Sequence, residues 1–205
     1  MLSKWLDWSQ RLQAIAQCGL TYTENPFEIE RYHAVQQLAA EIMAAHSDLE
    51  MTQVRSLFEG QEGYATPKVD VRGVVFSNDA ILLVKELRDN RWTLPGGWAD
   101  IGDSPAEATE REVREESGYV VRATKLLACY DRNRHGHPPF VFHIYKLFFQ
   151  CQLLGGQPAN SAETSEARFF GQDEIPALSL PRVTPAQIDR FFDHYRHSDW
   201  PTDFD

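Results

Sequence analysis

The sequence predicts two parts, an all-helical segment over residues 1–60 and a mixed α/β domain over residues 68–205. Two observations predict this division. Apolar residues recur at helical spacing up to about residue 58, whereas β-rich runs alternate with capping-box helices from residue 68 onward. Between the two parts, residues 61–67 combine glycine and proline without periodicity, which is typical of a linker.

Three helices are predicted in the first part. Residues 3–18 carry apolar side chains at helical spacing, and Gly19 is the expected stop signal. A second helix over 26–46 begins after Asn25, which starts a capping box, and a short third helix is expected over 50–58. The second helix is expected to bury one apolar side, formed by Phe27, Tyr32, Val35, Leu38, Ile42 and Met43.

The second part alternates strands and helices. The β-rich runs, which include a hairpin at Asn78-Asp79, lie at 68–76, 80–85, 120–129, 140–152 and 167–170. A capping box at Thr184 opens a last helix, which is expected to turn Ile188, Phe191, Phe192 and Tyr195 inward.

Composition excludes several classes of protein. The 205 residues carry a net charge of −10, which argues against a general nucleic-acid or anionic-membrane binder. No run approaches the ~20 apolar residues of a membrane span, and the N-terminus lacks the apolar core of a signal peptide. Cys18, Cys129 and Cys151 form a scattered set, which indicates reduced thiols and a cytoplasmic protein.

A strongly acidic helix is predicted over 105–117. Ser104 and Glu107 form a capping box at its start, and Gly118 can adopt the left-handed conformation at its end. Two of its five glutamates lie four residues before an arginine, in the pairs Glu107–Arg111 and Glu110–Arg114. The other three lie within one arc of about 100° and are Glu112, Glu115 and Glu116.

These three glutamates have two interpretations. A solvated helix face would explain the paired acids, but it leaves a like-charge pair at Glu112 and Glu116 unexplained. A cluster of hard oxygen ligands for Mg²⁺, or alternatively Mn²⁺, explains why repelling carboxylates share one face. The sequence therefore predicts a divalent-metal site on this helix.

The spacing of these residues resembles the box of the Nudix hydrolase family. It reads Gly97, five residues, Asp103, seven residues, Arg111-Glu112-Val113, one residue, Glu115-Glu116, one residue, Gly118. It departs from the family pattern at Asp103, where the family has glutamate. The stretches WTLPGGWADIGDSPAEA, VDVRGVVF and ETSEARFF are similar to the branch of ADP-ribose and nucleoside-diphosphate-X (CDP-choline-like) pyrophosphatases, which also has a helical N-terminal segment.

The resemblance implies a fold, a reaction and a metal site. The fold is a mixed β-sheet sandwiched between helices. The reaction is metal-dependent hydrolysis of a nucleoside diphosphate linked to X, such as ADP-ribose, CDP-choline or a sugar, to a nucleoside monophosphate and phospho-X. The implied metal ligands are Glu112, Glu115, Glu116 and the carbonyl of Gly96, with Arg111 orienting the glutamates.

Other site residues are open at this point. The general base is either a box glutamate or a loop carboxylate, Glu163 or Glu166, with Glu166 preferred. Candidates for substrate contact, each with packing or a solvated turn as the alternative, are Arg72, Trp98, Arg132 and Arg182. Zinc is not expected at His135 and His137, because no further nitrogen or sulfur ligand lies nearby in the sequence.

Asp103 is expected to hold the loop rather than the metal. Its side chain is one methylene shorter than glutamate, and it lies beside the positive end of the acidic helix. We therefore expect it to accept hydrogen bonds from backbone N–H groups near the start of that helix.

Two other functions use the same fold. One is a nucleotide-sensing regulator, and the other is an RNA pyrophosphohydrolase. Residues 1–60 carry four basic and eight acidic residues, a net charge of −4, and show no basic recognition helix, which disfavours a regulator that contacts nucleic acid. The RNA pyrophosphohydrolase is disfavoured because it needs a basic groove, which the sequence does not indicate. We expect a small-molecule substrate and no membrane partner. The apolar stripe of the N-terminal helices favours an interface, either in a homodimer or against the catalytic domain, where the helices would cover the site; the homodimer is preferred.

Overall fold

The computed structural model describes residues 3–205, which form two compact units. One unit contains residues 3–68 together with 139–143, and the other contains 69–138 and 144–205.

The first unit is helical. Its helices are α1 (Lys4–Tyr22), α2 (Pro26–Ala45) and α3 (Met51–Glu59). They enclose a core of Leu6, Ala39, Ala40, Met43, Val54, Phe58 and Val141. The segment 139–143 belongs to this unit through Val141 and through a hydrogen bond from the Lys68 N–H to the His143 carbonyl.

The predicted end of α1 was wrong. Gly19 lies inside the helix. A side chain has no room at this position, because the ring of Tyr32 on α2 occupies the space. A Cβ on Gly19 would lie 2.3 Å from that ring. The glycine therefore permits a close contact between two helices, and the helix continues to Tyr22.

The predicted inner side of α2 was also partly wrong. Its buried residues are Gln36, Ala39, Ala40 and Met43, and small alanines allow the helices to approach closely. Phe27 and Leu38 are 70% and 52% exposed. Asn25 caps α2 as expected, but the Glu28 carboxylate accepts a hydrogen bond from the Thr23 hydroxyl rather than completing the capping box.

An apolar stripe remains exposed on α1. Trp8, Ile15 and Tyr22 follow one another at intervals of seven residues and are 54%, 55% and 72% exposed. Because seven residues make about two helical turns, the three side chains lie on one face, which we name the α1 stripe. Large exposed apolar surfaces commonly mark interaction sites.

The second unit is built on a seven-stranded mixed sheet. The strand order is β3-β2-β1-β5-β4-β7, and β6 also pairs with β2. The strands are β1 (Lys68–Ser77), β2 (Ala80–Glu86), β3 (Trp92–Thr93), β4 (Tyr119–Asp131), β5 (Ile144–Gly156), β6 (Thr164–Phe170) and β7 (Asp203–Phe204). The Asn78-Asp79 hairpin is confirmed, since both residues have positive φ angles of 50° and 58°.

Helices cover both faces of the sheet. On one face, Val113 of α4 (Pro105–Ser117) packs on Leu82 and Val84 of β2. On the other face, α5 (Pro185–Arg196) packs on Ile81 and Leu83. This alternation along β2 assigns Lys85 to the α5 face and Glu86 to the α4 face.

The last helix and its neighbours differ in detail from expectation. Ile188, Phe191 and Phe192 are buried, but Tyr195 is 36% exposed and stacks on Phe76.

Within residues 3–205, no helix is both long enough and apolar enough to cross a membrane.

Candidate active site

Helix α4 has the predicted ends. The Ser104 hydroxyl accepts a hydrogen bond from the Glu107 N–H, and the Glu107 carboxylate accepts one from the Ser104 N–H. Gly118 ends the helix at φ 76°, where a Cβ would lie 2.4 Å from the Gln157 carbonyl oxygen. Both ends of α4 are therefore defined, and this sets the positions of its carboxylates.

The two expected glutamate–arginine pairs on α4 do not form. Glu107 is used by the capping box, and the Glu110 carboxylate accepts a hydrogen bond from the Ala123 N–H at 2.8 Å. Both acids bind backbone donors, which hold the helix start and attach α4 to β4.

Arg111 instead contacts four carboxylates. Its guanidinium nitrogens lie 3.1 Å from Asp100, 3.0 Å from Asp103, 2.8 Å from Glu112 and 3.3 Å from Glu115. The expected backbone partners of Asp103 were wrong. Its carboxylate binds the arginine fork from the loop side, and this contact ties the loop before α4 to the glutamates on the helix.

Glu112 and Glu116 face a glycine pair at the start of the box. The Gly96 N–H donates a hydrogen bond to Glu116 Oε2 at 2.8 Å. A Cβ on Gly97 would lie 3.0 Å from Glu112 Oε2, so a larger residue there would require this carboxylate to shift by a few tenths of an ångström. The neighbouring carbonyls of Pro95 and Gly97 accept hydrogen bonds from β1, which holds the loop in place.

The electrostatics of this pair favour a bound cation. Burial raises the pKa of Glu116 to about 8, with the positive charge of Arg72 opposing the shift and the charges of Glu86 and Glu112 adding to it. Burial also raises the pKa of Glu112, against the hydrogen bond from Arg111. A cation placed between the two carboxylates would favour their charged forms.

The donors fit a divalent metal ion in their chemistry. They are hard carboxylate oxygens on adjacent turns of one helix, and Gly97 keeps the space in front of Glu112 open. Among residues 3–205, no three His, Cys, Asp or Glu side chains already surround a common point. Glu112 and Glu115 both contact Arg111, and Glu115 is the more exposed of the two, with 53% of its side chain exposed against 15% for Glu112.

The two loop carboxylates lie in different places. Glu166 Oε1 binds Lys85 Nζ at 3.0 Å, and Lys85 lies over Trp92 on the α5 face of the sheet. Glu163 lies in the loop before β6, which is tied to the end of α4 by the bond from Thr164 Oγ1 to the Glu116 carbonyl. The structure thus brings the Glu163 loop, and not the Glu166 carboxylate, to the α4 face.

The family assignment follows from the motif helix and its match to known proteins. Residues 66–194 match the NUDIX domain family. The chain belongs to the Nudix hydrolase family. Residues 3–58 match the Nudix_N family, which is described as a UDP-X-like, N-terminal oligomerisation domain.

Two of the relatives of this Nudix hydrolase match it over essentially its full length, and a third matches about two thirds of it. The Bacillus subtilis (strain 168) protein YjhB, provisionally named an ADP-ribose pyrophosphatase, is 45% identical over 99% of this chain and 98% of its own length. A solved UDP-X diphosphatase is 33% identical, with a TM-score of 0.64 and full coverage of both chains. An ADP-ribose pyrophosphatase from Streptococcus suis 89-1591 is 38% identical, with a TM-score of 0.63, covering 68% of this chain and all of its own. The predicted Nudix fold with preceding helices and the assignment to the pyrophosphatases are confirmed.

The four candidates for substrate contact in this Nudix hydrolase differ in how much of each residue is exposed. Arg72 and Arg132 are 4% and 3% exposed, and their guanidinium groups donate to Asp70 and to backbone carbonyls. Trp98 is 44% exposed. Arg182 keeps 23% of its side chain exposed and binds Glu86 at 2.6 Å.

Glu86 is a residue that the sequence analysis missed. It is only 4% exposed at the end of β2, and its charge contributes to the raised pKa of Glu116. The alternation of Leu82, Val84 and Glu86 along β2 is the signal that could have found it, because a carboxylate at an inward position of a buried strand is unusual.

Proposed function

We propose that this Nudix hydrolase cleaves the diphosphate bond of a nucleoside diphosphate linked to X, releasing a nucleoside monophosphate and phospho-X. The observation that carries the proposal is the placement of Glu112 and Glu116 against Gly96 and Gly97, with Glu115 beside Arg111. The names of the relatives, which refer to ADP-ribose and UDP-X, support ADP-ribose and UDP-sugars as first substrates to test, with CDP-choline beside them.

Nudix hydrolases generally use divalent metal ions. We infer that Mg²⁺, or alternatively Mn²⁺, is held by Glu112, Glu115, Glu116 and the Gly96 carbonyl. A divalent cation there neutralises diphosphate charge and lowers the pKa of a bound water. Arg111 holds Glu112 and Glu115 on one side of the site, and Glu115 would have to exchange its contact with Arg111 for the cation in order to serve as a ligand.

Glu163 is our candidate for the general base, in place of Glu166. We expect Glu163→Gln to lower kcat by about 10²–10⁴-fold, the usual contribution of a general base. Glu166→Gln is the matched control, since its carboxylate is paired with Lys85 on the other sheet face. Steady-state kinetics of both variants checks this. A large loss of kcat in Glu166→Gln, with normal turnover in Glu163→Gln, would reverse the assignment.

A substrate panel tests the proposed function. ADP-ribose, UDP-glucose, CDP-choline and a 5′-triphosphorylated RNA would be incubated with Mg²⁺ or Mn²⁺, and the products would be identified by chromatography. We expect a nucleoside monophosphate from at least one of the three diphosphate compounds. Release of pyrophosphate from the RNA alone would favour the RNA pyrophosphohydrolase, and tight binding without turnover would favour a nucleotide-sensing regulator.

We also propose that the protein forms a homodimer in the cytoplasm. The helical segment 1–60 would contact the same segment of a second copy, and the 61–67 linker would join it to the catalytic domain 68–205. The α1 stripe supplies the apolar surface, and the matching family is described as an oligomerisation domain. Free thiols at Cys18, Cys129 and Cys151 agree with a reducing compartment.

The dimer has a direct test in the full-length chain. Ile15→Glu places a charge in the middle of the α1 stripe, and burying that charge in an interface is costly. We expect the variant to sediment as a monomer where the wild type sediments as a dimer. Thr52→Glu, at an exposed position of α3, is the control and should remain dimeric. A monomeric wild type, or a dimeric Ile15→Glu protein, would contradict the proposed interface.

A further inference from the structure

Three charged side chains are buried together beside the glycine pair. Asp70, Arg72 and Lys146 are 6%, 4% and 2% exposed. The Asp70 carboxylate accepts hydrogen bonds from Arg72 Nε at 3.0 Å and Nη2 at 2.7 Å, and a third from Lys146 Nζ. Burying three ions is costly, and apolar residues of the same size would often be as stable. The triad therefore calls for an explanation in terms of what it holds.

The triad holds the loop that contains the glycine pair. Arg72 Nη1 donates a hydrogen bond to the Leu94 carbonyl at 3.1 Å. The loop then runs directly over Arg72, because a Cβ on Gly96 would lie 2.8 Å from Arg72 Cα and 3.0 Å from its Cδ. The guanidinium fork thus joins Asp70 on one side to the loop on the other.

The same loop reaches the buried carboxylate of α4. The Gly96 N–H donates to Glu116 Oε2 at 2.8 Å. A continuous series of contacts therefore runs from Lys146 on β5 through Asp70 and Arg72 to Gly96 and Glu116. Only a planar group with several donors can bind Asp70 through two nitrogens and a carbonyl through the third.

Charge within the triad is consistent with this role. Burial acts to raise the pKa of Asp70, but the charges of Arg72 and Lys146 outweigh it and lower that pKa to about 2. Asp70 therefore stays ionised and binds both side chains, and its charge opposes the burial that lowers the pKa of Lys146 to about 7. Arg72, enclosed on all these sides, presents almost no surface to a substrate.

We propose that Asp70, Arg72 and Lys146 are positioning residues for the metal-binding side of the active site, and that Arg72 does not contact the substrate. The triad sets the loop that places Gly96 against Glu116. This inference rests on the metal site proposed above at Glu112, Glu115 and Glu116.

Arg72→Lys tests the inference, because it keeps the positive charge and removes the fork. Mn²⁺ binding to the substrate-free protein would be measured by electron paramagnetic resonance, and the KM for ADP-ribose would be measured at saturating Mn²⁺. Substitutions of groups that orient metal ligands typically weaken metal binding by about 10–100-fold, and we expect a Kd increase in this range with KM nearly unchanged. Arg168→Lys, at an exposed position on β6, is the matched control and should alter neither value.

An unchanged Kd for Mn²⁺ in Arg72→Lys would overturn the inference. If the KM for ADP-ribose is raised at the same time, Arg72 is a substrate ligand instead. If Arg72→Lys does not fold, Lys146→Met takes its place and leaves the Asp70–Arg72 pair intact. Loss of positioning predicts weaker Mn²⁺ binding by Lys146→Met, whereas removal of a positive charge alone predicts tighter binding and would contradict the inference.

Measuring Mn²⁺ binding apart from hydrolysis distinguishes a failure of this inference from a failure of the proposed function. A wild-type protein that binds Mn²⁺ but does not hydrolyse ADP-ribose, UDP-glucose or CDP-choline would reject the proposed function and leave the positioning role standing. The KM is then replaced by the Kd for ADP-ribose from calorimetry. A wild-type protein that binds no Mn²⁺ would reject both.

Discussion

Glu116→Gln is expected to lower kcat by about three orders of magnitude while the protein stays folded. The reason is that a catalytic metal ion contributes several kcal/mol, and each 1.4 kcal/mol corresponds to a tenfold change in rate. Glutamine keeps the shape of Glu116 but is a poor ligand for a hard cation. Kinetics at saturating Mg²⁺ measures the loss. The control is Glu107→Gln on the same helix, which preserves the capping box and should retain normal turnover.

The fold of Glu116→Gln should be maintained, and its pH dependence should identify the carboxyl group. Burial raises the pKa of Glu116 from 4.5 to about 8, so the metal-free native state binds more protons than the unfolded state between these values. Stability should therefore fall as pH rises from 4.5 toward 8 in the wild type, and this part of the fall should be absent in the variant. Melting curves in a metal chelator check this. Near-normal turnover of Glu116→Gln at saturating Mg²⁺ would show that Glu116 is not a metal ligand.

Gly96→Ala is expected to cause the largest loss of stability among the single substitutions considered. A Cβ there would lie 2.1 Å from the Val71 carbonyl oxygen and 2.8 Å from Arg72 Cα, and the residue has a φ of 143°. Backbone strain costs about 1–3 kcal/mol, and overpacking costs a similar amount. We expect the free energy of unfolding to fall by about 3 kcal/mol and the Tm by about 6–12 °C. Activity should be lost as well, because the loop that meets Glu116 must move.

Gly102→Ala separates the cost of backbone strain from the cost of overpacking. Gly102 also has a positive φ, 103°, but a Cβ there meets no atom within 4 Å. We expect a loss of about 1 kcal/mol from strain alone and nearly normal kinetics. Thermal melts and kcat of the two variants, measured side by side, check this. Equal losses in both would mean that the contact of Gly96 with β1 is not important.

The sequence predicted the ends of α4 because the signals for them are local. Capping residues and a terminal glycine act within one turn, so Ser104, Glu107 and Gly118 defined the helix. The side of α2 that is buried was harder to predict. It depends on which neighbouring helix packs closely, and Ala39 and Ala40 are preferred there over the larger Leu38.

Contacts between distant residues could not be predicted from patterns. The choice between Glu163 and Glu166 depends on the register of β6 against β2, which pairs Glu166 with Lys85 on the α5 face. Lys146 and Asp70 are 76 residues apart in the chain, and only the pairing of strands in the sheet brings them together. A buried charge at an inward strand position is the sequence signal, but it does not identify the partner.

The most direct test of the account is hydrolysis by metal-free protein followed by addition of Mg²⁺, with products observed by phosphorus NMR. ADP-ribose, UDP-glucose and CDP-choline would be followed with the wild type and with Glu116→Gln. We predict that a nucleoside monophosphate and phospho-X appear from at least one of them only after Mg²⁺ is added, and only with the wild type. Cleavage in the presence of chelator, or equal cleavage by Glu116→Gln, would contradict the assignment of the α4 carboxylates to a metal-dependent diphosphate hydrolase.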